Sequence, residues 1–236
     1  MTMCGRFTLA KTPKQIRGDF PELPAPVRLA PRYNIAPTQP VCAWMADPAP
    51  RMEIFTWGLI PHWARDPSIG AKLINARAET LLEKPSFKQS FRRKRCLIPA
   101  DGWYEWQSHP QRKKQPMYFH RRDKSCFAFA GLWDEWHDKS GGMILSCTVI
   151  TTRPNALTRR IHPRMPAILR EEDHSAWLKP EENDLRNLLR MLEPVAADEF
   201  TVHPVSPAVN RATAEGPDLV SPVPPPPSGP IQTELF

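Results

Sequence analysis

Residues 96–150 read CLIPADGWYEWQSHPQRKKQPMYFHRRDKSCFAFAGLWDEWHDKSGGMILSCTVI, and this stretch decides the fold class. Apolar runs at 96–98, 117–120, 126–130 and 143–150 are each too short for a packed helix. They are separated by clusters of Gly, Pro and charged residues, so they predict strands. Working outward, 41–45, 52–57, 167–169 and 200–205 read the same way. Helical signals are fewer. Thr12-Pro13 has the form of an N-cap followed by proline at the first helical position, opening a helix toward Phe20. Residues 78–83 and 86–94 read as short helices. The stretch 181–192, EENDLRNLLRML, is amphipathic with acids in its first turn. Many short strands with few helices predict an α+β domain built on a curved antiparallel β-sheet, barrel-like at its core.

The 236 residues suit one domain with a tail, and a hydrophobic content of 41% suffices for a core. Residues 1–220 are expected to form the domain. Residues 221–230, SPVPPPPSGP, predict an extended polyproline spacer within a 221–236 tail. A net charge of +7 favours a polyanionic partner, although basic residues also serve as ordinary solubilising charge. Five cysteines, odd in number and without a CxxC pair, argue against a disulfide framework or a structural zinc site. There is no run of about 18 apolar residues and no signal-like N-terminus. The expectation is a cytoplasmic, nucleoid-associated monomer without membrane contact, metal or cofactor.

Six segments are more polar or awkward than folding requires. They are Cys4-Gly5-Arg6-Phe7, Tyr33-Asn34-Ile35-Ala36-Pro37-Thr38, Trp57-Gly58-Leu59-Ile60-Pro61, Asn75-Ala76-Arg77-Ala78-Glu79-Thr80, Pro99 to Trp106 (PADGWYEW) and Ile161-His162-Pro163-Arg164-Met165-Pro166. With His203-Pro204-Val205-Ser206, this ordered set resembles the SRAP family, the SOS-response-associated peptidases, from Cys4 to about Val209. The resemblance implies capture of the ring-opened aldehyde of an abasic site in single-stranded DNA through an N-terminal cysteine. An N-terminal cysteine is a 1,2-aminothiol: its amine forms an imine with an aldehyde, and its thiol then closes a thiazolidine ring. An internal cysteine cannot do this, because its nitrogen is an amide. The family places this cysteine directly after the initiator methionine, whereas here Met1-Thr2-Met3 precedes Cys4. Initiation at Met3, or trimming of residues 1–3, would expose it.

By the same resemblance, Asn75 holds the amine or the sugar hydroxyl, and Glu105 and His162 move protons. The resemblance also implies a strand-cleaving lyase step and a self-processing peptidase activity. Taken alone, each of these residues has a structural explanation: a turn for Asn75, a salt bridge for Glu105, a core hydrogen bond for His162. Two other functions stay open at this level. One is a cysteine peptidase with Cys4 as nucleophile, His162 as base and Asn75 as orienter; the other is a non-catalytic single-strand binding module.

Arg6 and Arg77 adjoin the reactive residues and suit phosphate contacts, as does the Thr151 hydroxyl. Among eight tryptophans, Trp106 and Trp63 are the candidates for base stacking, while Trp57 and Trp133 are assigned to the core. The chain ends in Gln232-Thr233-Glu234-Leu235-Phe236. This resembles the peptide by which bacterial repair proteins dock on the replication sliding clamp, with Leu235 and Phe236 filling a pocket and Gln232 bonding at its rim.

Overall fold

A computed structural model describes residues 4–25, 30–46, 49–110, 112–180 and 184–224. In chain order the strands begin with β1 (Phe7–Leu9), β2 (Arg32–Ile35), β3 (Pro40–Ala46), β4 (Pro50–Trp57) and β5 (Asn75–Arg77). The central run follows as β6 (Arg95–Ala100), β7 (Gly102–His109), β8 (Arg112–Arg121), β9 (Phe127–His137) and β10 (Met143–Thr152). The short strands β11 (Met165–Pro166), β12 (Ile168–Leu169) and β13 (Phe200–Pro204) complete the set. Four α-helices are described: α1 (Pro13–Asp19), α2 (Pro85–Arg93), α3 (His174–Leu178) and α4 (Leu185–Arg190).

Two sheets result. One runs β13-β8-β7-β1-β2, antiparallel throughout. The other closes on itself, because β10 pairs with β4, β4 with β3, β3 with β6, β6 with β9, and β9 with β10 again. Ring closure hides edges that would otherwise be open to foreign strands. The expected α+β fold with a barrel-like core is therefore present. Its antiparallel character has two exceptions, since β10 runs parallel to both β4 and β5. No hairpin can make a parallel pair, so these contacts need long connections, and they carry the sequence between β4 and β10 around the ring.

All eight strands expected from the sequence are present, with β8 starting earlier and β9 ending later than expected. The helix after Thr12 is there with a full capping box, in which Thr12 and Gln15 bond each other's backbone N–H. Residues 78–83 form only a 3-10 turn at Ala78–Thr80. Helix α4 is shorter than the 181–192 pattern; Asp184 caps it by accepting from the N–H groups of Arg186 and Asn187, and 181–183 lie outside the described residues.

Trp57 and Trp133 are buried, as assigned, and Trp44, Trp103 and Trp177 join them in the core. Gly102 is required where it stands: a Cβ there would come within 2.2 Å of the Tyr118 hydroxyl. The segment after β13 folds back over the outer face of the five-stranded sheet, ending with Val223 N–H on the Pro204 carbonyl at 2.9 Å. Gln232, Leu235 and Phe236 lie outside the described residues. Among the described residues no helix is long and apolar enough to cross a membrane.

Candidate active site

Strand β7 delivers the central carboxylate. Alternation along it turns Trp103 and Glu105 to one face, and Tyr104 and Trp106 to the other. Trp103 is anchored in the core by stacking on Phe119 at 4.7 Å. Strand β1 lies alongside, with Phe7 opposite Trp103 and the Tyr104 N–H on the Arg6 carbonyl at 3.0 Å. That register carries Cys4 to Glu105: the Cys4 backbone N–H donates to Glu105 Oε1 at 3.0 Å.

Both residues are dry. Glu105 is 2% exposed, and burial pushes its carboxyl up to about 8, against the opposing pull of the Cys4 N–H. A carboxyl so placed keeps its proton near neutrality and can both give and accept one. The Cys4 thiol is held well above its ordinary range by burial and, secondarily, by Glu105. Cys4 also has φ +34°, on the left-handed side that residues with a Cβ avoid.

Arg6 turns away from Cys4 toward the C-terminal segment of the domain. Its Nη1 donates to Asn34 Oδ1 at 2.8 Å and to the Val209 carbonyl at 2.6 Å, and Nη2 donates to the Asn210 carbonyl at 3.3 Å. These partners are neutral, and among the described residues Arg6 forms no carboxylate ion pair. Burial lowers its pKa, against the opposing effect of Tyr104. Asn210 also accepts the indole N–H of Trp106 on its side-chain oxygen at 2.8 Å. One loop therefore orients both Arg6 and Trp106.

A cleft of about 420 Å³ opens here, walled by Gly5, Arg6, Pro37, Glu105, Trp106, Lys114 and His162. His162 reaches it from the turn before β11. Its Nδ1 lies 3.2 Å from the Arg164 N–H and 3.1 Å from the Arg164 carbonyl oxygen. Arg6, Glu105, Trp106 and His162 are thus brought together, with Cys4 joined to them through Glu105.

The remaining sequence candidates stand outside this wall. Asn75 heads β5 opposite Val149 of β10, and Arg77 is exposed two residues on. Thr151 is fully buried. Its hydroxyl donates to the Ala76 carbonyl at 3.3 Å and accepts from Arg164 at 3.3 Å, so its proton is already committed inside the protein. Trp63 is 50% exposed on the loop after β4. Sequence reasoning missed Pro37, Lys114, Val209 and Asn210. Pro37 sat in a segment already marked as a motif, but nothing singled out Lys114, and nothing in SPAVN distinguished a positioning loop from a turn.

The five cysteines are all free and buried. Among the described residues no three His, Cys, Asp or Glu side chains are grouped as a metal site requires.

The chain resembles known proteins in sequence and in fold. The chain is 42% identical over 221 residues to the abasic site processing protein YoqW of Bacillus subtilis strain 168, covering 92% of this chain and 99% of that one. It is 30% identical over 234 residues to the abasic site processing protein YedK of Escherichia coli K12, covering 94% and 100%. A solved structure of a protein from Bacteroides thetaiotaomicron superposes with a TM-score of 0.83 at 26% identity, covering 93% of this chain and 100% of that one. The family model for SOS response associated peptidase (SRAP) matches residues 3–212, and the chain belongs to that family.

Proposed function

We propose that this protein captures abasic sites in single-stranded DNA as a covalent thiazolidine at Cys4, shielding the lesion during the DNA damage response. The observation that carries this reading is the buried bond between the Cys4 nitrogen and a carboxyl poised near neutrality. The reactive form is the chain whose first residue is Cys4, reached by initiation at Met3 and methionine removal or by trimming of residues 1–3. In that form the φ of Cys4 ceases to exist, and with it a strain of about 1–2 kcal/mol.

Beside the buried Glu105, a neutral amine and a neutral acid are favoured over an ion pair, because burial penalises separated charge. The amine attacks the sugar C1′ aldehyde. Glu105 protonates the departing hydroxyl, water leaves, and an imine forms. The thiol then adds to the imine carbon, its proton passing to nitrogen, and the five-membered ring closes. From the imine, abstraction of a C2′ proton by His162 would expel the 3′-phosphate, which is the lyase branch. Arg6, Arg77 and Trp106 hold the flanking strand through phosphate and base contacts.

A thiol–imidazole peptidase pair has less support. Burial holds the Cys4 thiol protonated, which disfavours the thiolate that such a pair needs.

The test incubates protein beginning at Cys4, and protein retaining residues 1–3, with uracil-glycosylase-treated single-stranded DNA, followed by a denaturing gel. A stable adduct is expected only from the first. Equal adduct from a chain shown by intact mass to keep Met1 would end the proposal.

A further inference from the structure

The outer face of the five-stranded sheet carries a second cleft, of about 360 Å³, sharing no wall residue with the first. Its wall includes Lys11, Asp101, Tyr118, His120, Lys124 and His203. Tyr118 and His120 stand two apart on β8, and His203 is directly opposite Tyr118 on β13, so the three rings share one face. Their centroids lie 5.5–5.6 Å apart. The His203-Pro204-Val205-Ser206 motif, which the chemistry at Cys4 leaves unused, supplies one of them.

The charge in this cleft is one-sided. Among the described residues, the one carboxylate in its wall, Asp101, is occupied: Thr8 Oγ1 donates to one oxygen and the Ala10 N–H to the other at 2.7 Å. Lys11 and Lys124 form no ion pair among the described residues. Each histidine has one nitrogen fixed as a donor by a carbonyl, which can only accept. His120 Nδ1–H donates to Arg121 O at 2.7 Å, and His203 Nε2–H to Val220 O at 2.9 Å. The second nitrogen of each ring, His120 Nε2 and His203 Nδ1, becomes a donor only when the ring gains a proton.

We propose that this cleft binds a phosphate monoester, whose oxygens are held by Lys11, Lys124 and the second ring nitrogens of His120 and His203. Two fixed cations and two convertible donors facing a concave, ring-lined wall suit a doubly charged, many-oxygened anion. The phosphate is either a free ion or small phosphate, or the 5′ end of a DNA strand. This is independent of the reading of Cys4.

Occupancy is linked to protonation. The groups facing His120 are Lys11 from the loop after β1, Asp101 from the β6–β7 turn, Tyr118 on its own strand, Lys124 from the turn after β8, and His203 from β13. Burial first, then His203 and Lys124, keep the His120 ring below its ordinary pKa, against the Arg121 carbonyl and Asp101. A bound anion offsets that repulsion, so binding raises the pKa of the His120 ring and is coupled to proton uptake there.

The experiment titrates the full chain by calorimetry with inorganic phosphate, adenosine 5′-monophosphate, and 5′-phosphorylated and 5′-hydroxyl oligonucleotides lacking abasic sites. The same titrations are run on Lys11→Gln/Lys124→Asn. Asparagine is chosen at 124 because Lys124 has φ +61°, which it tolerates. Phosphate-bearing probes are expected to bind the native chain and to weaken at least about tenfold in the double variant, with crosslinking at abasic sites unchanged. NMR titration of His120 should move to higher pH with phosphate. Preference for the 5′-phosphorylated over the 5′-hydroxyl oligonucleotide assigns the DNA end; equal binding of the small phosphates assigns the free ion. No phosphate binding at about 10 mM, or binding unchanged in the double variant, overturns the site.

Discussion

The backbone nitrogen of Cys4 and the carboxyl of Glu105 meet at 3.0 Å across 101 positions of sequence, in a contact closed to solvent. The β1–β7 register creates that meeting, and burial tunes it. A carboxyl on an exposed strand would be ionised at neutral pH and unable to donate.

Replacing Glu105 by Gln keeps the shape and removes the proton transfer. Adduct formation at saturating abasic DNA is expected to slow by about 10²–10⁴-fold in a gel time course. The same variant reports on stability. Because the folded-state pKa of Glu105 is raised to about 8, the folded chain holds a proton that the unfolded chain releases near 4.5. Its contribution is fully present below that lower value and is lost as pH rises through about 8. Melting temperature should therefore fall more from pH 5 to pH 9 in the native chain than in Glu105→Gln; parallel curves would contradict the assignment.

Trp106 is held by Asn210. Truncating Trp106 to Ala should weaken single-strand binding by about 1–3 kcal/mol. Asn210→Ala, which removes only the acceptor of the indole N–H, should weaken it by about 1 kcal/mol. Fluorescence anisotropy with an abasic-free oligonucleotide reads both, and the adduct rate at saturating DNA should stay at the native value in Asn210→Ala.

Arg77 is exposed and proposed to touch phosphate. In Arg77→Ala the slope of log affinity against log salt should flatten by about 0.7, the release expected from one single-strand phosphate contact. A uniform loss with an unchanged slope would place its effect elsewhere.

Asp134 tests the barrel rather than the chemistry. It is 2% exposed and accepts from Lys94 Nζ at 2.7 Å, the His62 N–H at 2.9 Å and His62 Nδ1 at 3.0 Å. Burial alone would raise its pKa, but these donors outweigh it and the net direction is down. Asp134→Asn should cost about 2–3 kcal/mol at pH 7 by chemical denaturation. With a depressed pKa, that contribution is present above the ordinary aspartate range and fades as pH falls through it, so the two melting curves should converge in acid.

The long apolar strands were legible because their composition leaves no alternative. Strand β7 was not read as one, since GWYEWQSH mixes aromatics with Gly and a carboxylate, and Glu105 sits inward where alternation predicts an apolar side chain. The parallel pairing of β10 with β4 and β5 joins distant segments and leaves no local trace. At the cleft, Arg6, Glu105, Trp106 and His162 were found through their motifs. Thr151 read as a phosphate donor because it precedes polar and basic residues; that it lies beneath Arg164 is a tertiary fact. The roles of Val209 and Asn210 are likewise fixed by where the last loop lands.

That landing has a temporal consequence. The carbonyls that hold Arg6 are synthesised 203 and 204 positions after the arginine itself. The guanidinium therefore waits through the making of both sheets before its partners exist, and a chain interrupted ahead of Val209 would lack the loop that orients both Arg6 and Trp106.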